Sequence, residues 1–133
     1  MKLQDALLCI AATAADAPVF PVNLALGSTP EPLSVFLSAH LQKRLVGRRV
    51  RVGTGRFGDM CGNLERSLLG PAAATVLIIE WSDLDARLGL RDSGRWGRDV
   101  VPDILTTSET RLQGLVRQLE SAPSGSVLVV VPP

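Results

Sequence analysis

The chain has 133 residues, the length of one domain, and a chain of this size hides roughly two-thirds of its unfolded surface. Hydrophobic residues make up 46% and the mean hydropathy is slightly positive, which excludes a disordered chain. Fourteen basic against thirteen acidic residues give a net charge of +1, which makes no electrostatic case for nucleic acid.

With three Phe, two Trp and no Tyr, the core must come from Leu, Val, Ile and Ala. Residues 1–18 read as a leading amphipathic helix. Lys2, the run from Ala6 to Ala15 and its small-residue end pass a loose test for a signal peptide. Against that, Asp5 offsets Lys2, and Leu8 stands before Cys9 where a lipoprotein signal needs a small residue. Leu3, Leu7, Ile10, Ala11 and Ala14 also recur at helical spacing, so a retained helix and a cytoplasmic location are expected. The apolar stretches are too short for a membrane span.

Val22 to Leu26 reads as a buried strand, entered through Pro18 and Pro21 and stopped by Gly27. A helix follows, with Pro30 and Pro32 in its first turn, Thr29 as N-cap, and Leu33, Phe36, Leu37, Leu41 and Leu45 on one face before Gly47. Arg48 to Val52 is a second strand, and its cluster Arg48, Arg49 and Arg51 marks a sheet edge. The loop Gly53 to Gly58 leads into a helix from about Asp59, with Met60, Leu64 and Leu68 inward, stopped by Gly70 and Pro71. Thr75 to Glu80 is the clearest buried strand. After the polar segment Trp81 to Asp99, Pro102 precedes a helix with Leu105, Leu112, Leu115, Val116 and Leu119 on its inner stripe. Ser124 and Gly125 turn into Val127 to Val131, an apolar run without polar alternation.

Continuous apolar strands alternating with amphipathic helices predict a three-layer α/β domain with a mostly parallel sheet. Such domains usually carry a further helix and strand, so a core from residue 22 to 133 is expected to be incomplete at its C-terminal end. Cys9 and Cys61 each fall in a predicted helix and suit two thiols in a reducing compartment better than a disulfide. With one histidine and no CxxC pair, no structural zinc site is expected, and no cofactor is assigned to this chain.

In open parallel sheets ligands gather outside the carboxyl ends of the strands. Three segments fall there: Gly27-Ser28-Thr29, Gly53 to Asp59, and Glu80 to Asp85. Ser28 is either a candidate nucleophile or, with Thr29, a helix cap. A nucleophile needs a base, and His40 lies on the following helix beside its apolar face. The G-x-G-x-x-G at Gly53, Gly55 and Gly58 reads as a tight loop, since Asp59 would repel pyrophosphate and Glu80 is too distant to hold a ribose. Glu80, Asp83 and Asp85 either bind magnesium or form a surface loop neutralised by Arg87, Arg91 and Arg95. Trp81 and Trp96 either pin that loop or anchor a partner.

The segment VNLALGSTPEPL from Val22 to Leu33, the GRFGDM segment, IIEWSDLDARLGLR from Ile78 to Arg91, and PDIL with its downstream RLQGL resemble the N-terminal domain of the FkbH-like proteins. The string from Trp81 to Arg91 is the most specific part. The resemblance implies an SGNH-hydrolase-like domain preceding a phosphatase-like domain of the haloacid dehalogenase type. Such proteins load a glyceryl unit onto an acyl carrier protein in polyketide and related pathways. The D-x-D-x-T motif of the phosphatase domain is absent from this chain, so the transferase-phosphatase chemistry, and any magnesium, would belong to that second domain.

Against the hydrolase pattern, Ser28 stands where the nucleophile belongs, and the loop from Gly55 to Gly58 corresponds to the oxyanion-hole glycine block. The expected Gly-x-Asn-Asp is replaced by Glu80-Trp81-Ser82-Asp83, and no Asp-x-x-His follows. Each oxyanion donor is worth roughly 3 kcal/mol, so losing one together with the base argues against an ordinary esterase. The reading is an accessory or interaction domain that docks an acyl carrier protein and a C-terminal phosphatase-like domain. Gly27, Thr29, Gly58, Asp59, Trp81, Asp83, Arg87 and Arg91 are its candidate binding residues, with Arg95 and Arg98 adding charge. The alternatives are a serine esterase or acyltransferase using Ser28, and a flavodoxin-like nucleotide-binding module.

Overall fold

The structure, a computed structural model, describes residues 1–92, 94–122 and 126–131. Four parallel strands form one sheet: β1 (Val19–Ala25), β2 (Arg49–Thr54), β3 (Ala74–Ile78) and β4 (Ser126–Val130), in the order β2-β1-β3-β4. Between them run α1 (Leu3–Ala11), α2 (Glu31–Arg44), α3 (Met60–Leu69), the single turn α4 (Trp81–Leu84), two 3₁₀ turns (Ala86–Leu88 and Arg98–Val100) and α5 (Val101–Glu120). The expected α/β class and parallel sheet are present, as is the edge position of the arginine-bearing strand.

Alternation along β1 sorts the two faces. Asn23 and Ala25 point to α3, where Asn23 Nδ2 donates to the Ser67 carbonyl at 3.2 Å. On that side Ala25, Met60, Leu64, Leu77, Ile79, Leu84 and Leu115 form one buried cluster. Val22 and Leu24 point the other way, to the side of α2 and α1.

Several boundaries and faces depart from expectation. β1 begins three residues early and runs through Pro21. This costs little, because the Pro21 carbonyl still accepts from Ala73 N at 2.8 Å, while its missing N–H falls before β3 begins. The N-cap of α2 is Pro30 rather than Thr29, without a side-chain cap bond. In α2 only Ala39 is fully buried, with the expected leucine stripe half-covered and Leu33 exposed. The helix meets α1 through small residues instead: Ala6 is buried and Cys9 Sγ lies 3.6 Å from the Ala39 carbonyl. Leu3 and Leu7, expected inward, are half-exposed for the same reason.

In α5 the inner residues are Ile104 and Leu115, with Leu119 packed beside the cluster. Of the expected stripe Leu115 and Leu119 are therefore inward, while Leu105, Leu112 and Val116 face out and Ile104 takes the buried place at the start of the helix. The apolar run of β4, which its lack of polar alternation predicts to be covered on both faces, is an edge strand among the described residues, with Leu128, Val129 and Val130 exposed. The expected turn at Ser124 and Gly125 lies outside the described residues. Cys9 and Cys61 are free thiols on helices. No helix of the described residues is long and apolar enough to cross a membrane.

The outer edge of β2 is guarded by a side chain. Gln42 Oε1 accepts from Val50 N at 2.8 Å, and its Nε2 donates to the Arg48 carbonyl, so one amide takes the place of a neighbouring strand. Gln42→Ala should therefore lower stability by about 1 kcal/mol in urea unfolding and speed exchange of the Val50 amide. An unchanged exchange rate would show that the plug is not formed.

Candidate functional site

The chain goes from β1 outward to β2 and then returns to place β3 on the other side, so the strand order reverses between β1 and β3. At such a point adjacent connections leave in opposite directions and open a crevice beyond the strand ends. Gly27-Ser28 after β1 and Glu80 to Asp83 after β3 occupy it here. Gly27 is buried, and a Cβ there would lie 2.1 Å from Asp83 Oδ1, so only glycine lets the Asp83 carboxylate approach the exit of β1. Asp83 Oδ2 accepts from Glu80 N at 2.9 Å, closing the one turn of α4. Burial, and secondarily the Glu80 charge, push the Asp83 carboxyl above the ordinary carboxylate range, against the bonding to Glu80 N and the charge of Arg111.

Ser28 is partly exposed, and its hydroxyl caps no helix. Thr29 is exposed and equally uninvolved in capping. His40, on α2, is exposed. Gly58, at φ 74°, needs glycine's freedom, and its N–H donates to the Gly27 carbonyl at 2.8 Å. That amide braces the exit of β1, so it is not free to stabilise an oxyanion. Asp59 is the N-cap of α3: it accepts from Gly62 N at 3.0 Å and pairs with Arg66 at 2.9 Å. The Arg66 hydrogen bond, then that from Gly62, hold its carboxyl below the usual range.

The residue organising this end of the sheet was not singled out from the sequence. Asn63, on α3, is buried and uses its whole amide. Its Nδ2 donates to the Leu26 carbonyl at 2.8 Å and the Arg56 carbonyl at 2.7 Å. Its Oδ1 accepts from Arg56 N at 2.7 Å and Arg66 Nη2 at 2.6 Å. A Cβ at Gly55 would sit 1.9 Å from Asn63 Oδ1, which explains one glycine of the G-x-G-x-x-G without a dinucleotide. An asparagine three residues into a helix, four after a capping aspartate, was the available signal.

The segment after β3 forms a shelf. Leu84 inserts into the core while Trp81 is half-exposed. Asp85 is buried and bidentate to Arg87, at 2.8 Å from Nε to Oδ1 and 2.6 Å from Nη2 to Oδ2. Arg87 Nη1 reaches Asp103 of α5 at 2.7 Å. Hydrogen bonding to Arg87 lowers the Asp85 carboxyl to about 2, and the two carboxylates raise the Arg87 guanidinium further. Trp96 Nε1 donates to the Arg87 carbonyl at 3.1 Å, so this tryptophan pins the loop.

A cavity of about 650 Å³ opens beside the shelf, lined by Glu80, Trp81, Ser82, Leu88, Leu90 and Arg91 among others. Arg91, Arg95 and Arg98 are exposed and form no ion pair with a described residue, whereas Arg87 is fully engaged. Among the described residues no three acidic, cysteine or histidine side chains converge as metal ligands. Asp83 turns to Gly27 while Asp85 turns to Arg87.

Asn63→Leu leaves the Leu26 and Arg56 backbone groups without their partner and should cost on the order of 3 kcal/mol in urea unfolding. Asn63→Asp should fare no better, because a carboxylate cannot donate to two carbonyls. The two aspartates act oppositely with pH. Asp85, with its folded value lowered from 3.8 to about 2, stabilises the fold above the ordinary value, and that contribution is lost as pH falls between them. Asp83, with its value raised, favours the fold most when protonated, and stability falls as pH rises above 3.8 through its folded value. Asp85→Asn should therefore flatten acid unfolding, and Asp83→Asn should raise the melting temperature at pH 7 more than at pH 3. A common response of both variants would contradict the assignment. Comparison with protein-family models, with curated proteins and with solved structures gives no match to this chain.

Proposed function

We propose that the chain is a cytoplasmic, non-hydrolytic accessory domain of an FkbH-like enzyme, whose shelf from Trp81 to Arg98 docks the acyl carrier protein. The observation carrying this reading is how the Trp81–Arg91 string, the most specific part of the resemblance, is built. Leu84, Asp85 and Arg87 fix it to β3 and α5, which leaves Trp81 and Arg91 lining the cavity and Arg95 and Arg98 exposed after it in the chain. The strand order β2-β1-β3-β4 supports the SGNH-like placement of the domain, an order that flavodoxin-like sheets share. The engaged Gly58 amide and the exposed His40 weigh against hydrolysis by this chain. Carrier proteins present an acidic surface, which the three free arginines complement. Arg87 is withdrawn from that role by its two carboxylate partners.

The second reading, an esterase or acyltransferase using Ser28, draws on one observation: the hydroxyl is not taken up as a helix cap at the switch point. The two readings separate in one set of measurements. An acyl carrier protein should bind at low salt, and reversing Arg91, Arg95 and Arg98 to Glu should weaken it at least about tenfold. Absent binding, or binding indifferent to the reversals, would overturn the docking reading. Turnover of p-nitrophenyl acetate that Ser28→Ala abolishes would establish the esterase instead.

A further inference from the structure

Charge in this chain is segregated in a way the shelf does not use. Six of the fourteen basic residues (Lys43, Arg44, Arg48, Arg49, Arg51 and Arg56) lie within residues 32–58, where no acidic residue occurs. The rest of the chain carries eight bases against thirteen acids. All six are exposed, and none forms an ion pair with a described residue. They gather on and around β2, an edge strand.

The strand itself has two different faces. Arg49 and Arg51 stand on one, and Val50 and Val52 on the other, the first valine buried and the second half-buried. Its backbone is also only partly occupied. Arg49 N donates to the carbonyl of Pro18, the residue before β1, so by alternation Arg51 and Gly53 also turn inward, while Val50, Val52 and Thr54 turn outward. Gln42 covers the outward groups of Arg48 and Val50 N, but the outward N–H and C=O of Val52 meet no partner among the described residues.

We propose that the outer edge of β2 beyond the Gln42 plug, from Arg51 to Thr54, is a docking strand for an extended acidic segment of a partner protein. That segment alternates carboxylate and aliphatic side chains. An added strand would pair with the free Val52 groups, as in strand addition to open sheet edges. Its register would set a carboxylate across from Arg51 with another within reach of Arg49, and an aliphatic side chain beside Val52, the favoured cross-strand pairings. A nucleic acid fits less well. The thirteen acids against eight bases elsewhere repel a long polyanion, and Phe57 is the one aromatic of residues 41–58 on which a base could stack.

The interaction is independent of the carrier-protein reading, since it uses none of Arg91, Arg95 or Arg98. The test uses the full chain and a fluorescein-labelled octapeptide alternating Glu and Val, followed by anisotropy at low ionic strength. Binding is expected, with slowed exchange of the Val52 amide and a loss of at least about tenfold for the doubly reversed R49E/R51E chain. Two further peptides carry N-methyl groups on alternate residues, one in each phase, and one of the two should fail to bind. The proposal is overturned if the Glu-Val peptide does not bind, if charge reversal leaves its affinity unchanged, or if both methylated peptides bind like the parent. Tighter binding of a single-stranded oligonucleotide than of the peptide also overturns it, in favour of a polyanion site.

Discussion

A single amide, that of Asn63, sets the geometry of the sheet's carboxyl end. A parallel sheet leaves its strand ends as bare backbone that helices cannot cover, and here three such groups, the Leu26 carbonyl and the N–H and carbonyl of Arg56, are met by one side chain. The side chain of Asn63 reaches the first carbonyl beyond β1 and both backbone groups of Arg56, and it also receives a guanidinium. Buried polar groups are costly unless fully paired, so this arrangement is either complete or strongly destabilising. Gly55, the Asp59 cap and the Gly58 brace on Gly27 are placed by the same requirement.

That requirement separates what was readable in the sequence from what was not. Strands such as that around Leu77, and the helix beginning at Asp59, follow from local chemistry: apolar runs, caps and glycine–proline stops. Their placement matches the structure to within a few residues. The faces of the helices were less legible. Periodicity finds an apolar stripe but does not say which stripe meets the sheet. Where small residues allow close approach, as at Ala6 and Ala39, leucines are displaced to the rim. In α5 two apolar stripes lie side by side, and burial follows Ile104 and Leu115 rather than Leu105 and Leu112.

The candidate site shows the same division. The strand-end rule brought Gly27, Gly58, Asp59 and Asp83 to one end of the sheet, and the structure finds them there with specific partners. Composition alone could not reveal that Asp83 is fitted against Gly27, because that contact spans fifty-six positions and depends on a missing Cβ. Nor could charge counting separate Arg87, locked between two carboxylates, from the neighbouring arginines that are free. Gln42 and Asn63 were invisible for a related reason: an amide on a helix is ordinary until the backbone it satisfies is known.

The guanidinium of Arg87 joins parts of the chain that would otherwise be separate. Through Asp85 it holds the segment after β3, through Asp103 the first turn of α5, while the backbone carbonyl of Arg87 accepts from the indole N–H of Trp96. The connection between strand and helix is therefore a cross-braced frame rather than a tether. The start of α5 and the wall beside Trp81 are thus held at one spacing by ion pairs as well as by the chain between them.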